Sequence, residues 1–229
     1  MEEKQHIGKL FDRIAGTYDR LNHILSLNVD RRWRRRAVKG MSPCTTVLDV
    51  AVGTADLAIE LIRQGKASRV EGIDLSLEMM RIGREKVERQ RMSDRITFRE
   101  GSALQLPYED NSFDAVTCAF GVRNFSDLEL GLAEMRRVLK PGGQLMVLEF
   151  SYPRNKMVAW LYDLYFSHIL PAVGRLLSKD KTAYTYLNKS VKNFIWGEKM
   201  TAKLTETGFR VPRFTTYSCG IASVYRATK

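Results

Sequence analysis

The chain has 229 residues, 44% of them apolar and 10% aromatic, which suits one α/β domain with a full core and excludes global disorder. A formal net charge of +11 admits nucleic acid, anionic lipid or an acidic substrate as partners. Three cysteines, Cys44, Cys118 and Cys219, lie far apart and are odd in number, so reduced thiols in a cytoplasmic compartment are expected instead of a disulfide framework.

Met1 to His6 is too polar for a secretory signal. From Ile7 to Arg36, helical spacing runs through Ile7, Leu10, Phe11 and Ile14, breaks at Gly16, and resumes at Tyr18, Leu21, Ile24, Leu25 and Leu27. This segment precedes the first strand and is expected to fold over a ligand crevice as a cover. Tyr18, Asp19, Asn22 and His23 are its polar candidates for lining a site. The block Arg31-Arg32-Trp33-Arg34-Arg35-Arg36 reads first as a solvated helix face with Trp33 as its buried contact. A patch for anionic headgroups is the next reading, and a nucleic-acid contact the last.

The stretch from Thr45 to Asp74 organises the rest. Thr46 to Ala51 is a short apolar run rich in β-branched residues and reads as a buried strand. A tight turn, Val52 to Asp56, leads into helical spacing over Leu57 to Ile62. A second apolar run, Arg69 to Ile73, ends on Asp74. In a doubly wound sheet this unit sets a backbone turn and a carboxylate at the carboxyl ends of neighbouring strands, where a nucleotide-like ligand sits. A carboxylate there can accept both vicinal ribose hydroxyls. The dinucleotide fingerprint requires G-x-G-x-x-G, and only Gly53 of that pattern is present. Asp49 and Asp56 would repel a pyrophosphate, whereas S-adenosylmethionine carries a sulfonium and an ammonium group. The turn therefore favours the methyl donor.

Further along, Ser76 suits the N-cap of a helix over Glu78 to Gln90, and Ile96 to Glu100 reads as a third strand closing on Gly101-Ser102-Ala103. Phe113 to Phe120 is a fourth strand. Asp127 to Lys140 is expected to be a helix stopped by Pro141-Gly142-Gly143, and Gln144 to Phe150 a fifth strand. From Tyr152 to Lys192 the rhythm breaks. Met157, Trp160, Leu161, Leu164, Tyr165, Ile169 and Leu170 form an apolar, aromatic helix too short to span a bilayer. It reads as core packing, or as a lid that receives an apolar substrate or rests on a membrane interface. Phe194 to Thr207 is a further helix, and Phe209 to Tyr217 with Ile221 to Ala227 a terminal hairpin. The alternation predicts an α/β fold with a doubly wound, mostly parallel seven-stranded sheet. His6, His23 and His168 share no metal-ligand spacing, and no metal is expected.

Several stretches resemble the quinone-pathway C-methyltransferases, the demethylmenaquinone and polyprenyl-methoxybenzoquinol methylases. They are Phe11-Asp12-Arg13-Ile14-Ala15 with Tyr18-Asp19 and Asn22, then Leu25-Ser26 and Trp33-Arg34, then Val47 to Leu57. Most diagnostic is Leu106-Pro107 to Ser112-Phe113-Asp114 followed by Phe120-Gly121-Val122-Arg123-Asn124. The resemblance covers essentially the whole chain and implies a Rossmann-like class I methyltransferase. It divides into an N-terminal helical cover (1–44), a donor-binding core (45–150), a helical lid insertion (151–193) and a final helix with hairpin (194–229). Members usually have Cys or Gly at position 52 and Gly at 55. Val52 and Ala55 stand here and are expected to narrow the turn.

The resemblance implies S-adenosylmethionine contacts at Thr54, at Asp74 (ribose hydroxyls) and at Ser102 with Ala103 (adenine edge), with Asp49 and Gly53 shaping the methionine end. It implies methylation of a ring carbon of a prenylated quinol, demethylmenaquinol first and a methoxybenzoquinol as the alternative. Arg123 is the candidate for stabilising a ring oxyanion, and His23 or Tyr18 for serving or positioning the base. The expected setting is cytoplasmic, with a peripheral anionic membrane surface and a homo-oligomer as further partners and no nucleic acid. A nucleic-acid methyltransferase would carry an N/D-P-P-Y type motif where Phe120-Gly121-Val122-Arg123 stands. A non-catalytic donor-binding protein at a membrane surface is the remaining reading.

Overall fold

The computed structural model describes residues 8, 11–13, 15–16, 26, 28–165, 190–191 and 193–229. Among these, helix α1 (Val29–Lys39) precedes strand β1 (Cys44–Val50), α2 (Asp56–Arg63), β2 (Ala67–Asp74), α3 (Leu77–Arg89), β3 (Ile96–Glu100) and β4 (Phe113–Ala119). Then follow α4 (Leu128–Val138), β5 (Leu139–Phe150), α5 (Lys156–Leu164), α6 (Glu198–Glu206), β6 (Arg210–Tyr217) and β7 (Ala222–Thr228). The sheet has seven strands in the order β3-β2-β1-β4-β5-β7-β6. β1 pairs in parallel with both β2 and β4, and β7 runs antiparallel to β5 and β6. This is the doubly wound, mostly parallel sheet expected from the strand and helix alternation.

The last four residues of β1 are all buried, as a central parallel strand covered on both faces requires. One core packs Trp33, Ala37 and Val38 of α1 with Leu57, Leu61 and Met80 of α2 and α3 against the sheet. The other packs Leu132, Met135 and Val138 of α4 with Met200 and Leu204 of α6 on the opposite face. The order of strands reverses between β1 and β4, so the turns that follow these two strands open onto the crevice where such folds bind ligands.

Three local expectations change. The Pro141-Gly142-Gly143 stretch does not stop a helix before a separate strand. Instead α4 ends at Val138, and β5 begins at Leu139, paired with Phe113, with a register shift before Gln144 meets Ala115. Leu139 is already extended, and Gly142 takes a left-handed φ of 73° inside that irregular start. The arginine block is not a face with Trp33 as its one buried contact, since Arg34 is buried beside it while Arg31, Arg32, Arg35 and Arg36 are exposed. Helical period places adjacent residues 100° apart, close enough for both to turn inward. Helix α6 is shorter than the expected Phe194 to Thr207. Helix α5 exposes Met157, Trp160, Leu161 and Leu164 and buries Tyr162. The rest of the apolar stretch, including Ile169 and Leu170, lies outside the described residues, as do Tyr18, Asp19, Asn22 and His23. No helix among the described residues is long and apolar enough to cross a membrane.

Candidate active site

The turn after β1 folds back through three left-handed residues, Ala51 (φ 57°), Gly53 (φ 53°) and Ala55 (φ 67°). Ala55 caps α2 with its backbone alone. This winding aims the Gly53 amide at the end of β2, where it donates to Asp74 Oδ2 at 2.7 Å. The Ser76 amide donates to Asp74 Oδ1 at 2.9 Å. Two backbone donors thus fix the carboxylate, and its remaining lone pairs stay available for a ligand. Removal from water raises the Asp74 pKa despite these bonds.

A cleft open to solvent, with about 800 Å³ of empty space counting the solvent-filled mouth, lies beside this pair. Gly53, Asp74, Ser102 and Ala103 all line it, so four of the residues named from sequence converge there. The Ser102 hydroxyl accepts from the Leu104 amide at 3.2 Å and keeps its own proton to donate. Sequence reasoning did not single out Phe11, Met79, Phe120, Asn124 and Phe125 as lining residues. The signal for two of them is present in Phe120-Gly121-Val122-Arg123-Asn124, whose charged member faces away from the cleft onto Glu149.

The other candidates stand behind the wall. Thr54 is 4% exposed and accepts from Lys86 Nζ at 2.9 Å; the same ammonium holds Asp56 at 2.8 Å. Arg34 bonds Asp30 at 2.6 Å and reaches Asp56 at 3.5 Å, tying α1 to the start of α2. Asp49 is 1% exposed and accepts from the Thr117 hydroxyl at 2.7 Å, while its Oδ2 has no hydrogen-bond partner among the described residues. Burial pushes its pKa up to about 7, against the pull of the Thr117 bond. Arg123 is turned inward onto Glu149 at 2.8 Å, with side chains 4% and 0% exposed. Val52 does not narrow the turn. It is buried, and its methyls fill the space a side chain on Gly72 of β2 would need.

Two close approaches shape the cleft. A Cβ on Gly121 would stand 2.6 Å from the Ala51 Cβ and 2.7 Å from the Cys118 Sγ, so the turns after β1 and β4 touch only because this residue is glycine. Asp12 accepts from the Ser76 hydroxyl at 2.6 Å and the Glu78 amide at 3.2 Å, which anchors the N-terminal segment on the start of α3 beside Asp74. Asp74 lining the cleft, with Asp12 anchored beside it and an otherwise largely apolar lining, suits a cationic, ribose-bearing ligand better than a phosphate. Among the described residues no cluster of His, Cys, Asp and Glu is arranged to hold a metal ion.

The model of the ubiE/COQ5 methyltransferase family matches residues 1–229. A protein named demethylmenaquinone methyltransferase from Porphyromonas gingivalis is 46% identical over 230 residues, 99% of this chain and 94% of its own length. One of that name from Deinococcus radiodurans is also 46% identical, over 100% of this chain and 94% of its own. A ubiquinone/menaquinone biosynthesis C-methyltransferase from Geobacter sp. strain M21 is 44% identical, over 100% and 98%. Among solved structures, a SAM-dependent methyltransferase from Thermotoga maritima superposes with a TM-score of 0.70 at 22% identity, covering 98% of this chain and 100% of that one. The [4+2]-cyclase SpnF superposes at 0.73 with 17% identity, covering 99% and 96%. These two likenesses establish the Rossmann-like methyltransferase fold, and the cyclase shows that the fold alone does not set the reaction.

Proposed function

This chain belongs to the ubiE/COQ5 methyltransferase family, and we propose that it transfers the methyl group of S-adenosylmethionine to a ring carbon of reduced demethylmenaquinone. The observation that carries the reading is the Gly53 amide bonded to Asp74 at the reversal of strand order, in a chain that matches relatives of that name along its full length. The residues fit the donor. Asp74 keeps lone pairs for the ribose hydroxyls, and Ser102 with Ala103, which line the same cleft, would border the adenine edge. Asp49 lies buried behind the turn with one oxygen unbonded among the described residues, an acid that burial keeps protonated and that a cationic ligand nearby would favour ionising.

When bound, the donor supplies an electrophilic methyl on a sulfonium. The protein's share is placement and exclusion of water. A quinol oxygen would give up its proton, electron density would move to the adjacent ring carbon, and a carbon–methyl bond would form there as the methyl–sulfur bond breaks and S-adenosylhomocysteine leaves as the neutral thioether. Loss of the ring proton afterwards restores aromaticity. Tyr18 and His23, outside the described residues, remain the proposed base or its orienting partner. The prenyl tail is assigned to the exposed apolar face of α5, Met157, Trp160, Leu161 and Leu164, with an anionic membrane surface at the cytoplasmic side as its source.

A second reading, methylation of a polyprenyl-methoxybenzoquinol, is favoured by the 44% identity to a relative named for both quinones. The test incubates purified protein with labelled S-adenosylmethionine and, in parallel, reduced demethylmenaquinone, a reduced methoxybenzoquinone and total RNA. Label on the naphthoquinol ring carbon is the expected result. Label on RNA alone, or on nothing, overturns the proposal.

A further inference from the structure

Phe120 is a bulky residue in a conformation that favours glycine. Its φ is 59°, where a Cβ crowds the following carbonyl, and such strain persists only where the surroundings impose it. Its amide donates to Leu148 O of β5 at 2.7 Å. Its carbonyl accepts from Arg123 Nη1 and, at 3.5 Å, from Asn124 Nδ2. The same Arg123 Nη1 is held by Glu149 Oε1 at 2.8 Å. Glu149 in turn accepts from the Phe150 amide at 2.8 Å, and its other oxygen faces the Arg123 amide at 3.4 Å.

The strained backbone sets the place of a ring. Phe120 lines the cleft, and its ring is gripped by Phe150 (4.7 Å between centroids), Trp33 (6.3 Å) and the Arg34 guanidinium (5.5 Å from the ring centre). A fully buried ion pair is a poor way to gain stability, because desolvation offsets the attraction. Its value here is geometric: it delivers one cationic donor to one backbone carbonyl.

We propose that Arg123 and Glu149 are positioning residues, which lock Phe120 in its left-handed conformation so that its ring forms a fixed wall for the acceptor quinol. This rests on the methyl-transfer reading above and gives the charged member of the Phe120-Gly121-Val122-Arg123-Asn124 stretch an indirect task. The acceptor ring meets the Phe120 ring, and the guanidinium stays behind it.

The test is a double-mutant cycle read by kinetics in the chain with all its tryptophans and, separately, by Trp33 fluorescence in a chain carrying Trp160→Phe and Trp196→Phe. Glu149→Gln keeps the shape of the pair and weakens its grip. The expected result is an acceptor KM raised about tenfold, with the Kd for S-adenosylhomocysteine changed less than about threefold. In a Phe120→Gly background, where glycine needs no restraint, the same substitution is expected to cost less than about twofold. Arg123→Lys repeats the cycle should Glu149→Gln fail to fold. Equal loss of kcat in both backgrounds would mean that Arg123 acts directly on the reacting ring and would overturn the assignment. Trp33 emission reports the Phe120 position without any acceptor. A shift on Glu149→Gln supports the lock even if no quinol is methylated, and an unchanged spectrum contradicts it.

Discussion

The Gly53 amide and the Asp74 carboxylate, 2.7 Å apart, join the turn after β1 to the end of β2. The cleft is built around that bond, because Asp74 also takes the Ser76 amide that opens α3. Asp74→Ala removes the acceptor from both amides. The expected cost is about 1–3 kcal/mol of stability, and the thermal shift that S-adenosylmethionine gives the parent chain is expected to vanish. Asp74→Asn is expected to behave similarly, since its amide nitrogen must face one of two backbone donors. A full donor-induced shift in either variant, read by thermal unfolding, would contradict the assignment.

Asp49 makes stability depend on pH. Buried behind the turn, it keeps its proton up to about pH 7, whereas in the unfolded chain it loses it near the ordinary 3.8. Between those values the folded state holds the extra proton, so stability falls as pH rises, by up to about 1.4 kcal/mol per pH unit, and levels off above about pH 7. Asp74 and Glu149, also raised by burial, act in the same direction. Asp49→Asn is expected to flatten the slope by about one proton's worth. Urea unfolding of the ligand-free protein from pH 5 to 8 checks this, and equal slopes in the two proteins would refute it.

A Cβ on Gly72 would meet Val52 Cγ2 at 2.6 Å and its Cβ at 2.9 Å. Gly72→Ala is therefore expected to cost about 1–3 kcal/mol, and for a chain of this size about 2–4 °C in Tm per kcal/mol. Val52→Ala in the same chain removes the γ-methyl contacts and leaves the one at Cβ, so the double variant is expected to recover part of the loss and be more stable than Gly72→Ala alone. Calorimetric melting of the three variants decides it, and simple additivity would show that the two sites do not interact.

Arg34 and Arg35 are neighbours with different duties. Arg34, 11% exposed at the side chain, bonds Asp30 and reaches Asp56, while Arg35 is 80% exposed and 4.0 Å from Glu60. Arg34→Met removes a charged partner of the buried Asp30 carboxylate, which keeps its bond from the Ser26 hydroxyl, and is expected to cost about 3–5 kcal/mol. Arg35→Ala is expected to change stability by less than about 0.5 kcal/mol. Denaturant midpoints compare them, and equal effects would refute the distinction.

These particulars show what spacing alone discloses. The β1, turn, α2, β2 unit with its two acids was legible because strand length, a glycine and helical period are local properties. Ser76 as the N-cap of α3 was legible for the same reason, and its hydroxyl accepts from the Met79 amide as expected. Val52 was misplaced because the facing of a turn residue follows from the left-handed φ values around it, which a spacing pattern does not carry. Arg34 was misread because Asp56, one of its partners, stands 22 residues away across a packed helix pair. The inward turn of Arg123 depends on Glu149, from a strand that reaches β4 only in the folded sheet. Leu139 gave no helix-stop signal of its own, because its extended conformation comes from pairing with Phe113.

The claim beneath all of this is that one adenosyl sulfonium donor lies between Gly53 and Asp74. Isothermal titration of the 229-residue chain with S-adenosylmethionine tests it most directly. One site per chain, with binding weakened at least about tenfold in Asp74→Ala, is the predicted result. No heat of binding to the folded wild-type chain, or binding unaffected by the loss of Asp74, would contradict it.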